Sequence, residues 1–451
     1  MTGKRKRKLA MPDTLIIVAS VVLLVAILSW IIPSGTYDYQ EMNINGRIRN
    51  VAIDGTYHTI DKSEVTTTGF LGFFSVLYRG CVEAADVIFM ILCCCGTFGV
   101  VVKTGAFHAG IGTILKKLKG KEILLVPIIM MIFGLGGSVF GMASEFYGFY
   151  PLIVGLGVAL GYDAMFGFAI IAVGEFVGFM GATLNPYSVG IAQTISGVEL
   201  YSGTGYRAIC FVIFMAISII YVMVYGRKIK KNPGASVVFG EKNIHAFDRD
   251  ELNEYSFTLK DGLVLLDVLV VLVVLMLGLI KWGWDFPQLC GLFLLMSMIA
   301  AAICKWSPNK WCSEFIDSAK TAMWGCILTG IAKAITVVMQ DAQIMDTVIY
   351  GLSNVLKNAP HAVSAQVMLV VQTLINFFIP SATGQASATM PIMAQLADII
   401  GVSRQTAVLA FQFGDGLSNI FWPTADIVII CGLGGISLQK WYKWFTPLFL
   451  I

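Results

Sequence analysis

The chain has 451 residues, 57% of them hydrophobic and only 13% charged, with a formal net charge of +3. A soluble domain carries about 25% charged residues. The composition therefore excludes a water-soluble enzyme and implies an all-α polytopic membrane protein.

Residues 1–13 contain Lys4-Arg5-Lys6-Arg7-Lys8, read as a cytoplasmic basic tail that anchors the first helix; nucleic acid is not expected as a partner. Thr14–Ile32 approaches the ~20 apolar residues a helix needs to cross ~30 Å of hydrocarbon. Trp30-Ile31-Ile32-Pro33 lacks a small-residue cleavage pattern, so this run reads as a retained helix rather than a signal peptide. It opens a region, 14–86, that continues through a polar loop to Thr68 and an interfacial segment. Asn45-Gly46 between alternating residues predicts a small external β-hairpin in that loop. Glu83 and Asp86 are expected to open the next helix as first-turn acids. Further membrane-length runs are Val87–Val102, Ile123–Gly141, Ala208–Tyr225, Gly262–Ile280, Leu289–Cys304 and Ala319–Met339. Of the 31 Lys and Arg, 20 fall in 1–13, 103–122, 226–260 and 305–320, which places those stretches and the N-terminus in the cytoplasm. A bacterial inner membrane is the expected location.

A polar stretch, 227–260, reads as a cytoplasmic linker between two membrane halves, 87–226 and 261–451. The halves follow one order of parts. In the first, a helix and an amphipathic piece, Gly105–Lys119, precede two apolar arms around Gly134–Gly141 (a hairpin at about 122–161) and a broken helix at about 163–195. In the second, a helix and an amphipathic piece, Ile344–Lys357, precede arms around Pro380–Thr389 (about 361–401) and a broken helix at about 404–430, alongside scaffold helices. At an offset of 240, Glu145 matches Gln385, Pro151 matches Pro391, Gly174 matches Gly414 and Glu175 matches Asp415; Asn185 and Asn419 are 234 apart. Overall identity at this offset is near chance, so the argument rests on the type of residue that recurs. Two inverted-topology repeats, each with a re-entrant hairpin and a broken transmembrane helix, are the expected architecture.

The breaks carry the functional reading. Gly174–Pro186 and Gly414–Thr424 each place an acid, glycines, an Asn and a Pro inside an apolar stretch. Lipid cannot pair the amides and carbonyls an unwound helix frees, so such segments persist only against protein or a polar cavity. An ionisable group there costs roughly 2.5 kcal/mol or more. Glu145, Glu175 and Asp415 are the acidic candidates for substrate or ion binding, with helix capping as the structural alternative. Ser144, Asn185, Thr383, Gln385, Ser387 and Asn419 complete the substrate set, since hydroxyls and helix-start amides at the hairpin tips suit a carboxylate. Ser138, Thr183, Asn185, Glu175, Asp415, Ser418, Asn419 and Thr424 form the candidate Na⁺ or H⁺ set, because oxygen ligands suit a hard cation. Lys333 reads as a structural counter-ion to a buried acid, with contact to substrate as the alternative, while Arg207 and Lys103 read as interfacial anchors. The ten cysteines and four histidines show no zinc spacing, and no cofactor is expected beyond a coupling Na⁺ or H⁺.

Met11-Pro12-Asp13-Thr14-Leu15, Pro380-Ser381-Ala382-Thr383-Gly384-Gln385-Ala386, Thr389–Ala394 and Phe411–Gly416 with Asn419 and Pro423-Thr424 resemble the YfcC family of basic amino-acid antiporters. That family is grouped with DcuC-type C4-dicarboxylate carriers in the ion-transporter superfamily. The resemblance implies a homodimeric scaffold, a mobile transport domain and elevator-like movement. It also implies a final membrane helix extending past Trp444–Ile451.

The sequence thus predicts a secondary active transporter in the lipid bilayer, not an enzyme. Its substrate is a small carboxylate-bearing metabolite. The excess of acids favours a basic amino acid such as arginine or ornithine. A C4-dicarboxylate carrier is the alternative, and an ion channel the alternative of a different class.

Overall fold

The computed structural model describes residues 13–44, 47–118, 122–241, 245, 256–357 and 363–451. The basic run 4–8, Asn45-Gly46 and most of the linker at 242–255 lie outside the described residues.

Helices dominate, and among the described residues six are long and apolar enough to cross a membrane: α1 (Thr14–Ile31), α3 (Ala85–Lys103), α9 (Thr204–Lys231), α10 (Leu259–Lys281, apolar to Leu279), α11 (Phe286–Ile303) and α13 (Met323–Asp341). Their starts are written locally. Asp13 Oδ1 accepts from the Leu15 amide at 2.9 Å, Thr258 and Asp261 form a capping box on α10, and Asp285 and Gln288 form another on α11.

Two expected spans and one helix start differ from the sequence reading. Ile123–Gly141 is not one helix. It comprises α5 (Leu125–Leu135) and a π-helical turn, Gly136–Phe140, stopped by Gly141 in the left-handed region (φ 70°). Ala319–Met339 is divided at Thr321-Ala322, where α12 (Pro308–Lys320) gives way to α13. Glu83 does not open a helix. It is the last residue of α2 (Phe70–Glu83); the backbone leaves the helix at Ala84 (φ −95°, ψ 6°), and only Asp86 lies in the first turn of α3.

One group of helices packs through small residues. Gly80 of α2 fits against α13 so closely that a Cβ there would come within 2.3 Å of the Gly330 carbonyl. Thr97 of α3 donates to the Phe293 carbonyl of α11 at 2.9 Å, and Gly99 lies against Ser318 of α12. Such close approach replaces the hydrophobic drive that lipid removes. Lys103 pairs with Glu314 at 2.5 Å, so this proposed anchor is tied to α12.

A second group holds the two interrupted segments. It comprises α5, α6 (Tyr150–Ala159), α7 (Ala164–Met180), α8 (Val189–Ile195), α15 (Ser364–Phe378), α16 (Ala382–Ile399), α17 (Arg404–Gly416) and α18 (Asp426–Gly434). Gly174 and Gly178 of α7 pack on Met130 and Gly134 of α5, while Gly414 of α17 packs on Leu369 and Gln372 of α15. The matched Gly174 and Gly414 therefore do the same work: each lets the helix before a break touch an earlier helix, α5 or α15.

Antiparallel strands β1 (Ser34–Thr36) and β4 (His58–Ile60) enclose an antiparallel pair of β2 (Tyr39–Ile44) and β3 (Arg47–Ala52), with Ile44 opposite Arg47. This strap is fastened to α14 (Met345–Lys357), where Asp346 accepts from the Tyr37 amide at 3.0 Å and the Tyr39 hydroxyl at 2.8 Å. Its Tyr37 and Val51 share a core with Met393 and Leu396 of α16.

Candidate functional site

The first break runs from Gly181 to Ser188, where α7 has ended and α8 has not begun. The π-helical turn Gly136–Phe140 supplies lost partners. The Ser138 carbonyl accepts from the Thr183 amide at 2.8 Å and the Leu184 amide at 3.2 Å. Ser138 Oγ lies 3.1 Å from both the Gly181 carbonyl and Thr183 Oγ1. Asn185, fully buried, turns Oδ1 onto the Tyr187 amide at 2.9 Å and the Ser188 amide at 3.2 Å. Arg207, expected at an interface, is instead 1% exposed. Its guanidinium donates to the Thr183 carbonyl at 3.1 Å and the Ser202 carbonyl at 2.8 Å, because five planar donors can bridge several stranded oxygens at once.

The second break follows α17. Leu417–Ile420 is a 3-10 turn, and the chain is irregular to Ala425 before α18. Asn376 of α15 organises it. Nδ2 lies 2.8 Å from Asp415 Oδ1, and 3.2 Å from both Gln385 Oε1 and Asn419 Oδ1. One amide nitrogen has two protons for these three oxygens. Gln385 Nε2 in turn donates to Gln372 Oε1 at 2.7 Å. Thr424 Oγ1 donates to the Phe377 carbonyl at 2.7 Å, and Trp422 Nε1 to the Thr373 carbonyl at 2.6 Å, fixing the frayed end to α15.

The two breaks touch. Gln412 Nε2 donates to the Phe179 carbonyl at 2.7 Å, and Thr383 Oγ1 at the start of α16 donates to the Tyr187 carbonyl in the first break at 2.9 Å. Around this contact sit four carboxylates. Glu175 Oε2 accepts from Tyr150 OH at 2.9 Å, and Asp426 Oδ1 from Tyr147 OH at 2.6 Å. Glu145 Oε2 accepts from the Ala143 amide at 3.0 Å. Asp426 stands close enough to Glu175 and Asp415 to repel both, and Glu145 close enough to repel Glu175. Glu175 and Asp415 are fully buried, whereas Glu145 and Asp426 are partly exposed. Among the described residues no lysine, arginine or histidine pairs with any of the four. Buried Glu175 Oε1, Asp415 Oδ2, Asn376 Oδ1 and Gln412 Oε1 have no hydrogen-bond partner.

The structure thus gathers Glu145, Glu175, Asn185, Gln385, Asp415 and Asn419 around two abutting breaks. Ser138 and Thr183 join the π-helical turn to the first break. Ser387 and Ser418 donate back to their own chain, to the Thr383 carbonyl at 2.9 Å and the Gly414 carbonyl at 2.6 Å. For Ser144 the structure gives a partly exposed position opening the 3-10 turn Ser144–Phe149. Lys333 is half-buried in α13 and makes no hydrogen bond or ion pair among the described residues, so it is not the counter-ion of a buried acid. Asp426, Tyr147, Tyr150, Asn376 and Arg207 were not among the expected site residues. Gln372 and Asn376, four apart in an apolar run just before Pro380, were a legible signal of a polar helix face. No group of three or more His, Cys, Asp or Glu among the described residues is arranged to hold a metal ion.

A family model described as DcuC, C4-dicarboxylate anaerobic carrier, matches residues 11–451. The Escherichia coli (strain K12) protein named "Putative basic amino acid antiporter YfcC" is 33% identical, over 98% of this chain and 94% of that one. A Haemophilus influenzae protein described only as uncharacterized is 27% identical, over 99% of this chain and 95% of its own. The solved YdaH transporter of Alcanivorax borkumensis covers 97% of this chain and 96% of its own, at 14% identity and a TM-score of 0.44. The chain belongs to the DcuC carrier family and is a multi-pass membrane transporter.

Proposed function

We propose that this transporter is a secondary active exchanger of small amino acids with a cationic side chain, arginine or ornithine being the model substrates. The observation that carries this reading is four clustered carboxylates with no basic partner among the described residues. Glu145 and Asp426, the partly exposed pair, receive the cationic group, and the partly exposed tip residues Ser144 and Thr383 lie beside helix starts that suit the α-carboxylate. The relative named as a basic amino acid antiporter supports the same substrate class. In this reading the two hairpins enter from opposite membrane faces as inverted repeats. The break-bearing group then moves, elevator fashion, against the α2–α3–α13 scaffold of a homodimer in a bacterial inner membrane, with the N-terminus in the cytoplasm. A coupling Na⁺ or H⁺ occupies the buried oxygens.

Uptake of labelled arginine into proteoliposomes tests it. Wild-type protein is expected to exchange arginine, and Asp426→Asn and Asp415→Asn to lower the rate at least tenfold. Arginine uptake unchanged by both substitutions overturns the reading. One observation favours a second reading, the C4-dicarboxylate carrier of the family description: the unpaired Lys333 offers a positive charge to an anion. Succinate uptake without arginine uptake, lost in Lys333→Met, establishes it.

A further inference from the structure

Glu175 and Asp415 are the two fully enclosed carboxylates of the site. Glu175 lies in the second half of α7, has no solvent exposure, accepts one hydrogen bond from Tyr150, and leaves Oε1 unmatched. An ionised carboxylate buried that way, with no cation beside it, bears an uncompensated desolvation cost. A proton on Oε1 removes the charge and turns an orphan acceptor into a donor. The surroundings supply nothing else to do so. Residues 145–150 present Glu145, Tyr147 and Tyr150, and α18 presents Asp426, whose other acidic neighbour is Asp415 of α17. The α5 helix contains no titratable residue, and Arg207 of α9 is committed to carbonyls of the break.

We propose that Glu175 is the proton-carrying residue of the exchange, held by Tyr150, and that Asp426 with Tyr147 links it to the partly exposed substrate position. This rests on the reading of a cationic substrate. With the site empty, Glu175 carries the proton. A cationic group arriving at Glu145 and Asp426 stabilises the charged carboxylate, and the proton leaves Oε1 for water through the opening the substrate used. One positive charge replaces another, so the acid cluster never holds four uncompensated negative charges. Glu175 is distinguished from Asp415 here by its partners: Asp415 has the Asn376 amide to stabilise its charge, whereas Glu175 has a single phenol.

Two measurements test this. Infrared spectra of the protein in vesicles, titrated without substrate, are expected to show a protonated-carboxyl band that Glu175→Gln removes. A band unaffected by the substitution, or no such band, overturns the proposal whatever the substrate proves to be. In proteoliposomes with an acid interior and a trapped pH dye, wild type is expected to move one proton out per arginine taken in, and Glu175→Gln none. A proton-to-arginine ratio that survives in Glu175→Gln overturns it. Where the amide variant moves no arginine at all, Glu175→Asp decides: it is expected to keep the ratio at a lowered rate, and a ratio of zero overturns the proposal. Wild type that shows the infrared band but takes up no arginine sinks the substrate reading and leaves the proton site standing.

Discussion

Gly416, at the end of α17, lies directly on Met180, the last helical residue of α7; a Cβ on Gly416 would stand 2.3 Å from Met180 Cα. Backbone therefore meets backbone where the two helices break. Neither side has a flexible side chain to yield. Gly416→Ala is expected to push the breaks apart, destabilising the folded protein by about 1–3 kcal/mol and abolishing exchange. Thermal unfolding in detergent, with arginine exchange in parallel, reads both effects; an active Gly416→Ala protein of wild-type stability refutes the contact.

Asn376 serves more acceptors than it has protons, so its loss leaves several buried oxygens facing one another. Asn376→Ala is expected to cost about 1–3 kcal/mol for unsatisfied buried groups, and more if the Asp415 charge is left unmatched. Asp415→Asn in the same background is expected to restore part of that stability, because it removes the charge Asn376 had been matching. A double-mutant cycle by thermal unfolding measures the coupling; strictly additive losses count against Asn376 as the organiser of the second break.

How far the sequence revealed this site depends on what its residues do. Gly174 and Gly414 were legible because close approach of a helix admits only glycine, and the same contact occurs in both halves. Glu175 and Asp415 were legible because an acid in an apolar run demands a reason. The pair Glu145 and Gln385 shows the limit of matching by position: Gln385 is sealed into an amide network, whereas Glu145 remains partly exposed beside the first tip. Asp426 stayed hidden because an acid at a helix start has an ordinary explanation in the helix dipole. Only the fold brings Tyr147, 279 positions away, onto its carboxylate. Arg207 misled for a related reason. Basic residues near span ends usually seek the interface, and nothing local announces that the carbonyls of residues 183 and 202 converge on this one.

The strap yields a prediction away from the two breaks. Asp346 gathers the Tyr37 amide and the hydroxyls of Thr36 and Tyr39, and burial, with Asp346 alongside, pushes the Tyr39 phenol above its ordinary range. Asp346→Ala strands these donors and is expected to free the strap from α14. Limited proteolysis should then cut between residues 34 and 60 much faster than in wild type. An unchanged digestion rate shows that Ser34 and the stacked Tyr57 and Tyr350 rings hold the strap without the carboxylate.

Arg207 gives the sharpest test of whether the first break is a built structure. The Thr183 carbonyl has lost its helical partner, and Arg207 Nη2 replaces it while Nη1 holds Ser202. Charge alone does not achieve this; a planar fork does. Arg207→Lys keeps the charge, yet a single ammonium cannot reach both carbonyls in the same geometry. It is expected to lower arginine exchange roughly tenfold for the ~1.4 kcal/mol of one lost charge-assisted bond, and Arg207→Ala, which loses both, to lower it further. A role limited to net positive charge at this position predicts instead that Arg207→Lys stays close to wild type and only Arg207→Ala is impaired. Measuring both variants at matched protein incorporation separates the two, because Arg207→Lys keeps the charge while removing the planar fork.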